Sequence, residues 1–215
     1  MNIERQRERW AAQAKELQFS FSPGLSGLLQ SKIIDKFIRD QKLDIQQVQK
    51  ALEIPFFGGM MEDAFLGVSS GDVDGCSFFL YQRSSKQQRN ATFTVHLTLL
   101  FEKSGDIGLS IYKEGFWSRV GKFLGAQDIQ LQNPILDPMV MIKAKDTMKA
   151  ERILQKTGVQ QALISLFQHS DGFEVSDTGI EYKAKGKYLE TKTIEALMRR
   201  MVVANRFLAS AITSP

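Results

Sequence analysis

Hydrophobic positions follow a helical period at the two ends of the chain and a period of two through its middle. In IERQRERWAAQAKEL, 3–17, Ile3, Trp10, Ala14 and Leu17 fall near one face of a helix, with arginines and glutamates on the others. FSFSPG, 19–24, breaks that pattern, and Pro23 is a start signal for a second helix. From 25 to 41, Leu25, Leu28, Leu29, Ile33 and Phe37, flanked by Ile34 and Ile38, make a stripe wide enough for a largely buried helix. LDIQQVQKAL, 43–52, reads as a further short helix that stops at EIPFFGG.

The period then changes. DAFLGVSS (63–70), CSFFLYQR (76–83) and ATFTVHLTLLFE (91–102) are rich in aromatic and β-branched residues and separated by turn residues, which predicts three consecutive strands. In the third, Phe93, Val95, Leu97, Leu99 and Phe101 share one face and Thr92, Thr94, His96 and Thr98 the other, so one wet face is expected. IGLSIYKE (107–114) predicts a fourth strand, and DIQLQ and MVMIKAK (139–145) two short ones around NPILDP. DTMKAERILQK (146–156) opens on Asp146, a good N-cap, and VQQALISLFQ continues as another helix after Thr157–Gly158. GFEVSDTGIEYKAKG (172–186) is a hairpin turning at Ser176-Asp177-Thr178-Gly179. The last segment, 190–212, is a long helix striped by Ile194, Leu197, Met198, Met201, Leu208 and Ile212.

These elements add up to an α+β fold: a mainly antiparallel sheet covered by helices, with an N-terminal helical extension over 1–55, an α+β domain over 56–215 and a long C-terminal helix.

Four stretches, FLGVSSGDVDGCSFFLYQ, LSIYKEGFWSRVGKFLGAQDIQL, MVMIKAKDTMKAERILQKTGVQQALISLF and GFEVSDTGIEYKAKG, carry a resemblance across about 65–185. Their succession of glycine-turn hairpin, threonine-rich strand, strand–helix unit, strand–helix unit and late hairpin resembles a bacterial family with a domain of unknown function, many of whose members are membrane-anchored. The resemblance implies the fold and brings no catalytic residue set.

Composition narrows the function. One cysteine rules out an internal disulfide framework. MNIERQRERW does not read as a secretion signal, and no run reaches the roughly 18 apolar residues of a spanning helix. The expected location is therefore the cytoplasm, with a peripheral position on the membrane as the alternative. The net charge of +4 is spread thinly: 9 basic and 6 acidic residues over 1–50, 4 and 7 over 51–110, 8 and 5 over 111–156. A nucleic-acid binder concentrates its basic charge more strongly.

Asp72 and Asp74, one residue apart, precede Gly75 and the single Cys76, but two carboxylates at one bend with no further acid before Glu102 cannot saturate a calcium ion. The pattern predicts a tight turn, with φ > 0 at Gly75. A nucleophilic Cys76 needs a base, and only His96 and His169 are present; one cysteine and two histidines nearly exclude a zinc site. Cys76 is expected to pack inward, and His169 to sit at a helix end. No phosphate-loop, dinucleotide, nucleophile-elbow or zincin motif occurs, so no cofactor is expected.

Surface features remain. FWSRVGKFLG sets Phe116, Trp117 and Phe123 against Arg119 and Lys122, a pattern found in core helices and in helices that meet a membrane or a partner's groove. Arg83, Lys86 and Arg89 in one hairpin, and Lys183, Lys185 and Lys187 in another, lack the aromatic platform of a nucleic-acid site and read as solvated tips. The expected function is a non-catalytic interaction or assembly module that docks to a protein complex or to the cytoplasmic membrane face. Its candidate contacts are Trp10, Phe116, Trp117, Arg119, Lys122, Phe123, Arg199 and Arg200. The alternatives are an enzyme with a pocket over the sheet around Thr94, His96 and Thr98, and a weak nucleic-acid binder acting through the basic tips.

Overall fold

A computed structural model describes residues 3–24, 65–87, 90–102, 106–113, 129–168, 170, 172–186 and 188–213. The helices predicted over 25–41 and 43–52, the aromatic helix of 115–125, and His169 lie outside the described residues.

The described elements, in chain order, are α1 (Ile3–Glu16), β1 (Ser20–Pro23), β2 (Phe65–Val73), β3 (Cys76–Gln87), β4 (Asn90–Leu100), β5 (Ser110–Lys113), β6 (Val140–Lys143), α2 (Thr147–Leu154), α3 (Thr157–Gln168), β7 (Phe173–Ser176), β8 (Gly179–Lys185) and α4 (Thr191–Thr213). The strands form one eight-stranded antiparallel sheet in the order β1-β2-β3-β4-β8-β7-β5-β6, so the fold is α+β as the sequence pattern predicts. Two compact units divide the chain: Met1–Leu97 with Lys183–Glu195, and Thr98–Tyr182 with Ala196–Pro215.

In the first unit the organising feature is the β2–β3 hairpin. Val73 pairs with Cys76 across a two-residue turn, Asp74-Gly75, whose φ angles of 51° and 77° are both left-handed. That is the Asp-Gly turn whose twist matches the strands it joins. The register sets Ser69 opposite Leu80 and Gly71 opposite Phe78, so these residues share a face. Gly67, Ser69 and Gly71 form a trough along it, and phenylalanines from the other side fill the trough. An added Cβ at Gly67 would lie 2.6 Å from the Phe21 ring, and one at Gly71 would overlap the Phe19 ring.

Those two rings explain a difference from the sequence pattern. FSFSPG does not simply interrupt the helices. α1 ends at Glu16, the chain turns through Gln18, which has φ 59°, and the Phe19 N–H bonds the Ala14 carbonyl at 2.8 Å, the closure that ends many helices. The chain then enters β1, which pairs with β2 at Phe21–Ser69. α1 packs on β1 and β2. Its buried Trp10 donates from Nε1 to Gln82 Oε1 at 3.0 Å, and its buried Gln13 donates to the Leu189 carbonyl at 2.6 Å.

In the second unit β5 lies between β6 and β7. Ile111 pairs with Ile142 on one side and Val175 on the other, and Val175 pairs in turn with Ile180. All four are buried, and Phe167 of α3 meets Phe173 of the same face edge-on, with centroids 6.5 Å apart. The opposite face carries Ser110, Tyr112, Met141 and Glu174, all half-buried. The β7–β8 hairpin closes Ser176 on Gly179 as its sequence predicts, and a Cβ at Gly179 would overlap the Leu99 carbonyl oxygen. Asp146 caps α2, accepting from the Lys149 N–H at 3.0 Å. Of the DIQLQ segment, residues 129–132 form no strand, and Gln132 has a left-handed φ of 57°. Ile129 donates one backbone bond to Ile142, and the buried Ile129 and Leu131 account for the alternation that suggested a strand.

Candidate functional site

The helical layer of the second unit presents the most distinctive surface among the described residues. From Ala196 onward α4 buries Leu197, Met198, Met201, Val202, Ala204, Leu208 and Ala211, a band that holds the helix in place. Its outward stripe recurs every three or four residues: Arg199, Val203, Arg206 and Ser210 are exposed, and Phe207 lies beside them. Val203 and Phe207 are each 47% exposed. The Phe207 ring lies on the backbone of α3, since a Cβ added at Gly158 would sit 2.7 Å from its Cδ1. One side of the ring is therefore fixed against a glycine and the other faces outward. The Lys156 ammonium donates to the Ala211 carbonyl at 3.3 Å, satisfying a carbonyl near the end of α4.

Charge follows the same surface. The segment 196–213 holds three arginines and no acidic residue, and 145–168 holds four basic residues against two acidic ones. Arg199 is exposed and Arg200 half-buried. Two further apolar side chains project from this unit: Met148 of α2, 81% exposed, and Ile135 in the 133–137 turn, 54% exposed. That turn is rigid. The Asp137 carboxylate accepts from the Leu131 and Asn133 N–H groups, and Asn133 Oδ1 accepts from Ile135 and Leu136, all at 3.0 Å.

Other residues singled out by the sequence fall elsewhere. Trp10 is inside the first unit, so its indole contributes to the core there. Phe116, Trp117, Arg119, Lys122 and Phe123 lie outside the described residues, as do Arg89 and Lys187. Asp72 accepts a 2.7 Å bond from the Ser77 hydroxyl, and Asp74 is a turn residue. Cys76 is buried and in no disulfide, and its thiol donates to the Asp74 carbonyl at 3.9 Å. Among the described residues no group of three or more His, Cys, Asp or Glu could hold a metal ion, and no helix is long and apolar enough to cross a membrane.

The expected wet face of β4 is covered at His96 and Thr98. His96 is 9% exposed and stacks on Tyr81, with ring centroids 4.7 Å apart and planes 8° from parallel; Thr98 is fully buried. The reason is the neighbouring strand. Phe79 and Tyr81 project to one side of β3, and both are buried, so the face that carries His96 is lined by aromatic surface instead of water.

Val203 and Phe207 are absent from the sequence-derived candidates. The signal available is RRMVVANRF, 199–207, in which arginines fall on the same turns as apolar residues outside the main stripe.

No family model and no curated protein sequence matches the chain. Among solved structures, the chain is similar to the crystal structure of the mycobacterial trehalose monomycolate transport factor A, TtfA. The TM-score is 0.49 and the identity 9%, over 98% of this chain and 94% of that one.

Proposed function

We propose that the protein is a non-catalytic interaction module of the cytoplasm, docking to a larger assembly or to the inner face of a membrane through the outer face of α4. The observation that carries this reading is the pair Val203 and Phe207, held half-exposed and bracketed by arginines with no carboxylate on that part of the helix. Together they leave on the order of 150 Å² of side chain in water. Covering that area contributes about 3–4 kcal/mol, enough to matter in a weak, reversible association. The buried His96, Cys76 and Thr98 fit the same reading, since packing accounts for their positions.

Gradient sedimentation of native-cell extract tests it. Wild-type protein is expected to travel with large assemblies or membranes, and a Val203→Asp/Phe207→Asp variant with an unchanged melting temperature is expected near the monomer position. Identical profiles for the two proteins refute the reading.

A further inference from the structure

We infer that the surface which covers the outer face of α4 is an anionic lipid bilayer. This rests on the interaction-module reading and names its partner. The apolar side chains that project from the second unit are isolated points on three different elements: Val203 and Phe207 on α4, Met148 on α2 and Ile135 in a turn. All three elements adjoin α3. Phe207 lies on Gly158, the Asn133 side chain donates to Gln160 at 2.7 Å, and α2 packs directly on α3. A stable protein interface buries roughly 800 Å² per partner around a continuous apolar centre. Separated apolar points, of which the α4 pair stands beside cations, do not supply such a centre. They suit a bilayer, where each side chain enters the headgroup region on its own and the cations meet lipid phosphates.

The charge balance gives this surface its selectivity. Over 196–213 the chain is purely basic, and Arg199 and Arg200 stand next to the projecting pair. Near an anionic leaflet each such residue strengthens binding by about fivefold, and the attraction falls as salt rises. A Val and a Phe that insert part of their surface add a component that salt does not remove.

The experiment is vesicle co-sedimentation of the full chain at low and high salt. One set of vesicles is phosphatidylcholine alone, the other phosphatidylcholine with about a third phosphatidylglycerol. Wild-type protein is expected to bind the anionic vesicles at least tenfold better than the neutral ones, and less well at high salt. Arg199→Ala/Arg200→Ala should lose roughly twenty- to thirtyfold. Arg199→Lys/Arg200→Lys should retain most binding, because a bilayer reads charge, whereas a protein carboxylate held by a two-pronged arginine contact distinguishes the two side chains. Phe207→Ser should weaken the salt-resistant part, and Val203→Ser/Phe207→Ser should remove most of it. Equal binding of wild-type protein to both vesicle types, or to neither, overturns the lipid assignment. If vesicles fail while the gradient profile still shifts with Val203→Asp/Phe207→Asp, the module reading stands and its partner is a protein. If the gradient profile does not shift either, both fall.

Discussion

Thr98→Val should make the protein more stable. Thr98 is fully buried in β4, and its hydroxyl has no hydrogen-bond partner among the described residues. Burying a hydroxyl unpaired costs roughly 1–3 kcal/mol, and the native state bears that cost here. Valine keeps the branched shape and the preference for a strand, and exchanges the hydroxyl for a methyl whose burial contributes about 0.8 kcal/mol. Allowing for imperfect accommodation of the methyl, the expected gain is about 1–2 kcal/mol. In a chain of this length that raises the melting temperature by a few degrees, at about 2–4 °C per kcal/mol. Urea unfolding followed by tryptophan fluorescence should show a higher midpoint at constant slope. Thr98→Ala is the control: it also removes the hydroxyl but leaves a void, and should be less stable than Thr98→Val by about 1–2 kcal/mol. A lower midpoint for Thr98→Val than for wild type refutes the reasoning, because it means that the hydroxyl is engaged in a bond.

Gly179→Ala should destabilise by about 3 kcal/mol or more, since the new Cβ would overlap the Leu99 carbonyl oxygen and backbone cannot step aside as a side-chain tip can; circular-dichroism melting is sufficient to see it. Asp146→Ala removes the acceptor for the Lys149 N–H at the start of α2 and should cost about 1 kcal/mol, with Asp146→Asn recovering most of it; chemical denaturation measures both. The Cys76 thiol should react slowly with a thiol-specific reagent in the folded protein and at the rate of a free thiol in denaturant, because it is buried on the hairpin's inner face; fast native labelling contradicts the packing described.

Local chemistry made much of the fold legible. Asp74-Gly75 needs two left-handed residues and has residues that tolerate them, Asp146 stands one residue before a helical pattern, and Asp177-Thr178 separates two alternating runs. Each is a decision made within a few residues, where the sequence is most informative. What was not legible depends on distant partners. β1 is four residues with two serines and a proline. It becomes a strand because Phe19 and Phe21 fit the glycine trough of β2, some fifty residues away, and no local pattern displays that fit. His96 and Thr98 alternate as a wet face should, yet Phe79 and Tyr81 line that face. The candidate site was legible only in part. Arg199 and Arg200 stand out as charges, but the exposure of Val203 and Phe207 depends on which arc of α4 the core consumes, and a helix with apolar residues on several sides does not announce that choice.

The central claim, that the outer face of α4 is a docking surface, is tested most directly by photo-cross-linking in living cells. A benzophenone amino acid placed at Val203 is compared with one at the exposed Glu8 of α1. Discrete adducts, to lipid or to a defined protein, are expected from position 203 and not from position 8. Adducts that are absent at 203, or indistinguishable between the two positions, contradict the claim.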